Sequence, residues 1–369
     1  MARRVAMTLS WTTVVPVVAV LVLPLAWGRD LSLVPLAVVT ALLAGAVLAA
    51  VHHAEVVAHR VGEPFGSLVL AVAVTVIEVG LIVTLMVAGG PETATLARDT
   101  VFAAVMITCN GIVGLSLLLG AFRYGLVSFN AEGSGAALAT VLTLATLTLV
   151  FPTFTTSRPG PEFSSAQLYF AALASLVLYA MFVVTQTVRH RDFFLPVAVP
   201  RVQGPGAHDA EEHAAPPSTR AALLSLTLLL VSLVAVVGLA KVESPAIEDA
   251  VDVAGFPQSF VGVVIALLVL LPETLAAVRS ARQNRLQVSL NLAFGSAMAS
   301  IGLTIPTIAV ASLWLDTRLV LGLGPTQMIL LALTVVVGVL TVVPGRSTRL
   351  HGGVHLVILA AFLFLAVAP

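Results

Sequence analysis

Two glutamates occupy positions where ionisable side chains are costly. Glu78 sits in the middle of the run AVAVTVIEVGLIV (residues 71–83), with no charged residue within ten positions on either side. Glu273 follows Pro272 at the end of the apolar run 261–271. Near the centre of a bilayer an ionisable group costs roughly 2.5–3.5 kcal/mol on the insertion scale, so it persists where it does a job. A pair of carboxylates suits a hard cation such as calcium, which takes six to eight oxygen ligands. Further oxygens are at hand. Thr75 precedes Glu78 by about one helical turn on the same face, and the helices that follow each glutamate bring Asn110 in one half of the chain and Ser296 and Ser300 in the other. Pro272 lacks a backbone donor and should free the carbonyl of Leu268. Burial and mutual repulsion favour protonation of an empty carboxylate pair, and a bound metal ion favours its ionised form. Metal ions and protons then compete for one site, which is the chemistry of a cation/proton antiporter working by alternating access.

A second constellation is His52, His53, Glu55, His59, Arg60 and Glu63. Helical spacing places His52, Glu55 and His59 on one face. A zinc-protease helix needs two histidines four apart with glutamate directly after the first. Here Glu55 is two after His53 and His59 is six after it, which sets an intramembrane metalloprotease far behind. The remaining readings are a proton-sensing or ion-funnelling entrance formed by His52, Glu55, His59 and Glu63, since histidine titrates near physiological pH, and an interfacial polar cluster without a special role.

Both sets of residues need elements to hold them, and composition names the elements. Of 369 residues, 59% are hydrophobic and 10% charged, and the 18 basic and 18 acidic residues cancel. Soluble domains carry about 25% charged residues, so a soluble enzyme is excluded. Disorder is excluded by the hydrophobicity and a nucleic-acid partner by the charge balance. The single cysteine, Cys109, permits no intramolecular disulfide and no cysteine-based zinc site. The mean hydropathy of +1.07 leaves an integral membrane protein. Continuous apolar runs of helix-spanning length, without the alternation of a barrel, predict an all-α fold.

Eleven transmembrane helices are expected, over residues 12–27, 31–51, 67–89, 100–121, 135–152, 166–188, 221–240, 259–278, 287–312, 323–344 and 349–368. Arg3 and Arg4 precede the first, but no convincing cleavage site follows, so it reads as a helix and not as a secretion signal. With the N-terminus in the cytoplasm, thirteen basic residues fall inside (Arg3, Arg4, Arg60, Arg123, Arg189, Arg191, Arg201, Arg220, Arg279, Arg282, Arg285, Arg346 and Arg349). Five fall outside, namely Arg29, Arg98, Arg158, Lys241 and Arg318, in keeping with the positive-inside rule. The acidic residues Glu243, Glu248, Asp249 and Asp252 are expected in a solvated outer loop, where they would attract cations.

Residues 189–220 are rich in Pro and Gly, contain His190, His208, Asp209, Glu211, Glu212 and His213, and read as a cytoplasmic linker. The linker divides the chain into an extra N-terminal helix (1–30), a first five-helix repeat (31–188) and a second (221–369). A repeat with an odd number of spans must be inserted in opposite senses, the inverted-repeat arrangement of many transporters. Ala71, Val74 and Glu78 match Ala266, Val269 and Glu273 at a constant offset.

A resemblance makes the reading more specific. The segments VHHAEVVAHRVGEPFGSL (51–68), VIEV (76–79), LPE (271–273), NLAFGS (291–296) and LTIP (303–306) are similar to bacterial calcium/proton antiporters of the ChaA type, in the cation/proton exchanger branch of the calcium/cation antiporter superfamily. The resemblance implies an inner-membrane, multi-pass exchanger with two inverted five-helix repeats and one essential acidic residue in each, carried over to Glu78 and Glu273. It implies that calcium leaves the cytoplasm as protons enter, with sodium or potassium as further candidate substrates and no cofactor. The wider family places Gly-Asn-Ala ahead of each acidic residue, whereas this chain has Val74-Thr-Val-Ile77 and Leu270-Leu-Pro272, with fewer amide oxygens. A passive cation channel is the alternative that lacks proton coupling.

Overall fold

A computed structural model describes residues 10–29, 31–62, 65–197, 217–314 and 319–369. Among the described residues nine helices are long and apolar enough to cross a bilayer: α2 (Leu33–Val61), α4 (Thr93–Tyr124), α5 (Ala131–Phe154), α6 (Ser165–Arg189), α7 (Thr219–Val253), α8 (Phe260–Arg282), α9 (Leu286–Ala311), α10 (Pro325–Val342) and α11 (Arg349–Val367). Two further apolar helices, α1 (Trp11–Ala26) and α3 (Phe65–Gly89), bring the number to the eleven expected. Helices prevail because no other open structure pairs every backbone donor in lipid. Side chains such as Phe170, Leu173 and Met181 on α6 point outward, as suits a protein whose surroundings are hydrocarbon.

The chain forms two compact units. Unit 1 comprises residues up to Ala88 together with Pro217–Asp249, and unit 2 comprises Gly89–Pro216 and Ala250–Pro369.

In unit 1, α2 and α7 run antiparallel and are joined by hydrogen bonds at three levels. Arg60 donates to Thr219 (3.0 Å), His53 Nδ1 meets Ser225 Oγ (3.3 Å), and Thr40 donates to Glu243 (2.9 Å). Gly45 gives room to Val15 of α1, Gly80 of α3 to Val237 of α7, and Gly238 to Leu23. These close approaches are the small-residue packing on which helix association in lipid relies.

In unit 2, α4 packs on α8 where Gly262 lies against the backbone of Asp99 and Thr100, and on α11 where Gly114 and Gly352 face each other. α9 packs against α5, α6 and α8. The helix α4 widens to a π-turn at Ile107–Ile112, where Thr108 bonds back to the carbonyls of Ala104 (2.7 Å) and Val105 (3.1 Å). A second π-turn, Thr146–Val150, precedes Pro152 in α5, whose ring cannot donate to the carbonyl four residues earlier.

Connections within unit 2 test the span count by parity. At one end, β1 (Val127–Ser128) between α4 and α5 pairs antiparallel with β2 (Arg346–Ser347) between α10 and α11. At the other end, Val320 donates to Ala94 (3.0 Å), Gly322 to Pro161 (3.0 Å) and Leu323 to Leu149 (2.8 Å). Every such contact joins segments separated by an even number of helices, as segments on one side of a membrane must be. Arg123, Arg282, Arg346 and Arg349 share the first end, and Arg98 and Arg158 the second.

One expectation is corrected here. The seventh span does not stop at residue 240: α7 continues to Val253, so Glu243, Glu248, Asp249 and Asp252 stand on a helix and not in an outer loop. Glu243 is buried, with Thr40 supplying a hydrogen bond, and Ser244 is buried and donates to Glu248 one turn on (3.0 Å). One partner from α2 and one from the same helix satisfy these groups and let α7 carry acidic residues past its apolar stretch.

Candidate functional site

Glu78 and Thr75 lie on α3 in unit 1, and both are buried. The two side chains are one turn apart on one face, as their spacing requires. Glu78 is 4% exposed, an ionisable group buried along with Val74, Ile77 and Ile82 of its own helix.

Glu273, Asn110, Ser296 and Ser300 all belong to unit 2. Glu273 is 7% exposed and stands on α8, which continues unbroken through Pro272 to Arg282. The next residue, Thr274, turns its hydroxyl back to the carbonyl of Leu270 (2.7 Å), so its oxygen already serves the helix backbone. Ser300 is buried and Ser296 half-buried on α9, the helix that packs beside α8. The π-turn of α4 carrying Asn110 packs against both α8 and α9. Unit 2 thus gathers the elements that bear these four residues, and Cys109-Asn110-Gly111 lies where the backbone departs from α-geometry. π-Turns of this kind recur at functional sites.

Asn110 is fully buried and its amide is oriented by Thr334 and His355. Its Nδ2 donates to Thr334 Oγ1 (2.9 Å), whose own hydroxyl donates to Leu330 (2.8 Å). Its Oδ1 faces His355 Nδ1 (3.2 Å), and His355 Nε2 meets Thr341 Oγ1 (3.1 Å). With Thr334 committed as an acceptor, Asn110 Oδ1 receives the His355 Nδ1 proton and Thr341 donates to Nε2. One carbonyl lone pair of Asn110 is therefore taken by histidine, and the second is the one it has to offer a cation.

The structure keeps the face drawn from spacing and separates His53 from it. His52, Glu55 and His59 are exposed on α2, and Glu63 lies outside the described residues. His53 turns inward instead and is buried. Its Nε2 donates to the carbonyl of Thr12 (2.9 Å), and its Nδ1 accepts from Ser225. Thr12 is the residue whose carbonyl Pro16 leaves without a helical donor. The linker residues His208, Asp209, Glu211, Glu212 and His213 also lie outside the described residues.

Spacing analysis missed the inward turn of His53, and it missed His355 and the ion pair of Arg98 with Asp99 (2.8 Å), which seats a buried carboxylate at the end of α4. A signal for His355 was available. It opens the apolar run that ends the chain, although Arg349 and His351 stand close before it, so it is less conspicuous than Glu78.

Comparison with known proteins decides the family. The profile of the sodium/calcium exchanger protein family matches residues 31–188 and 224–368. This chain belongs to that family. The protein y4hA of Sinorhizobium fredii is 45% identical to this exchanger over 366 residues, 97% of this chain and 96% of its own. The sodium-potassium/proton antiporter ChaA of Escherichia coli is 35% identical, covering 94% of this chain and 93% of its own. Among solved structures, native YfkE superposes with a TM-score of 0.70 at 15% identity, covering 97% of this chain and 99% of that one. The H+/Ca2+ exchanger CAX gives 0.67 at 15% identity, covering 96% and 86%, and at such identities the likeness speaks for the fold. The exchanger is a multi-pass membrane protein and a transporter, not an enzyme, and its family works without a cofactor.

Proposed function

We propose that this exchanger is a cation/proton antiporter in which metal ions and protons compete for Glu78 and Glu273. The observation that carries the reading is the burial of these two carboxylates in apolar helices of a family whose members move cations. Lipid and packed helices give an ionised carboxylate no water, so each glutamate needs a proton or a cation when the site is closed. If the transporter reorients with the pair neutralised by either and not with the pair bare, cation movement in one direction obliges proton movement in the other. Thr75, Ser296, Ser300 and the remaining lone pair of Asn110 are the supporting oxygens. His52, Glu55 and His59, with Glu63 following them in sequence, form the entrance at the Arg60 end of α2, which we assign to the cytoplasmic side of the inner membrane, together with the N-terminus. The halves 31–188 and 221–369 are the inverted repeats that supply one glutamate each.

Calcium is the substrate that the sequence resemblance favours, leaving the cytoplasm in exchange for protons. Sodium and potassium form the second reading, because ChaA, named for those ions, is similar along nearly the whole chain. The experiment is proton release from everted vesicles driven by calcium, sodium and potassium side by side. Glu78→Gln and Glu273→Gln are each expected to abolish it for every ion while leaving the protein folded in the membrane. Normal exchange by both variants would refute the site. Cation flux through the unmodified protein without proton release would make it a channel.

A further inference from the structure

The antiport cycle uses Glu78 of unit 1, and unit 1 contains a second buried carboxylate. Glu243 on α7 is 4% exposed. Its Oε1 lies 2.9 Å from Thr40 Oγ1 on α2, and the same Oγ1 lies 3.0 Å from the carbonyl of Leu36. A hydroxyl has one proton to donate, so these two contacts are alternatives. When Glu243 is ionised, Thr40 donates to it. When Glu243 is protonated, the carboxyl donates to Thr40 Oγ1 and the hydroxyl turns to Leu36. Each state leaves the carboxyl oxygen that faces Thr40 hydrogen-bonded. Uptake of a proton at Oε1 therefore requires one hydroxyl rotation and breaks no helix hydrogen bond.

Position gives this pair a role. Thr40 stands twenty residues before Arg60 on α2, about 30 Å of helix, which is roughly the thickness of the hydrocarbon core. With the Arg60–Thr219 contact at the cytoplasmic face, Thr40 and Glu243 lie at the outer one. The Thr40 side chain is exposed, so the buried carboxylate is one hydrogen bond from the outside of the helix bundle at this level. Further in, Gly80 of α3 packs against Val237. From that contact the level of Glu78 is eight residues, about 12 Å, inward of Glu243. The charged neighbours are few. On α7 they are Lys241, whose ammonium sits 4.9 Å over the Trp27 ring, and Glu248 and Asp249. On α3 the titratable neighbour is Glu78, while α1 and the first eighteen residues of α2 carry none.

We propose that Glu243, with Thr40 as its hydroxyl switch, is a proton-docking site at the outer mouth of unit 1, through which protons from the outer solution are taken up on the way to Glu78. The proposal rests on the antiport reading and deepens it.

The test uses the full chain in everted vesicles, where the lumen stands for the outer solution, with calcium, sodium and potassium as driving ions over a series of lumenal pH values. Glu243→Gln and Thr40→Val are each expected to displace the lumenal pH of half-maximal exchange by about one unit or more, a tenfold change in apparent proton affinity. Thr40→Ser, which keeps the hydroxyl, is expected to restore the original profile, and cation half-saturation is expected to stay unchanged. An unaltered lumenal pH profile in Glu243→Gln overturns the proposal. Should that variant accumulate poorly, Thr40→Val at an exposed position decides in its place. Glu78→Gln, run in parallel, separates the two levels. If it is silent while Glu243→Gln behaves as the unmodified protein, the docking site alone falls; if it exchanges normally, the assignment of Glu78 to the transport site falls and the docking site with it.

Discussion

Pro16 takes from Thr12 the backbone donor that an uninterrupted helix would supply, and His53 gives it back from another helix. The exchange fixes the tautomer of His53, with the proton on Nε2, and leaves Nδ1 to accept from Ser225. A single imidazole thus ties α1, α2 and α7 together. Replacing it by leucine strands a buried carbonyl, which costs about 1–3 kcal/mol. His53→Leu is expected to lower the thermal unfolding temperature in detergent accordingly. Placing Pro16→Ala alongside returns an amide donor to Thr12, so the double variant should recover part of the loss; strictly additive costs would contradict this account. The glutamates were legible from the chain because a charge amid apolar residues is conspicuous in one dimension. His53 was not, because its partners are a carbonyl 41 residues away and a serine 172 residues away. Asn110 was legible as an oxygen-bearing group, but its hydrogen bonds to His355 and Thr334 depend on α11 and α10 coming beside the π-turn.

At the level of helices, glycine marks where backbones touch. A Cβ on Gly352 of α11 would run into the backbone of Gly114 and Leu118 on α4, whereas the next residue, Gly353, has open space around the same position. Gly352→Val is therefore expected to separate α4 from α11, disturb the Asn110–His355 bond beside them and lower thermal stability markedly. Gly353→Ala is expected to be neutral or slightly stabilising, by the roughly 0.5–1 kcal/mol that alanine gains over glycine in a helix. Equal effects of the two substitutions would show that backbone contact is not what sets the packing. Helix ends were the least legible part of the sequence. The acidic stretch after residue 240 looked like a loop because hydropathy falls there, yet α7 continues, since Ser244 bonds Glu248 one turn on and Glu243 finds in Thr40 a partner that only the folded chain supplies.

For the molecule as a whole, parity constrains topology. The pairing of β1 with β2 and the contacts of residues 320–323 with Ala94, Leu149 and Pro161 place the connections of unit 2 on two opposite faces. In a Cys109→Ser background, cysteines introduced at Arg346 and at Arg158 are expected to react with a membrane-impermeant thiol reagent from opposite sides of the membrane. Labelling from the same side would break the eleven-span count. The orientation assigned to the exchanger further requires that Arg346→Cys be the one reached from the cytoplasm.

The amino-acid sequence by itself determined the solvent, the helical class, the number of crossings and the two glutamates, because each is a property of local composition: apolar length sets a span, and a lone charge within it is costly wherever the chain folds. Tertiary structure alone decided the partner of each polar group. The inward turn of His53, the orientation of the Asn110 amide and the Thr40 hydroxyl beside Glu243 all arise from residues far apart in sequence. In lipid a buried donor or acceptor finds no water to satisfy it, so its energy is set by whichever neighbouring helix brings a partner, and that neighbour is chosen by packing.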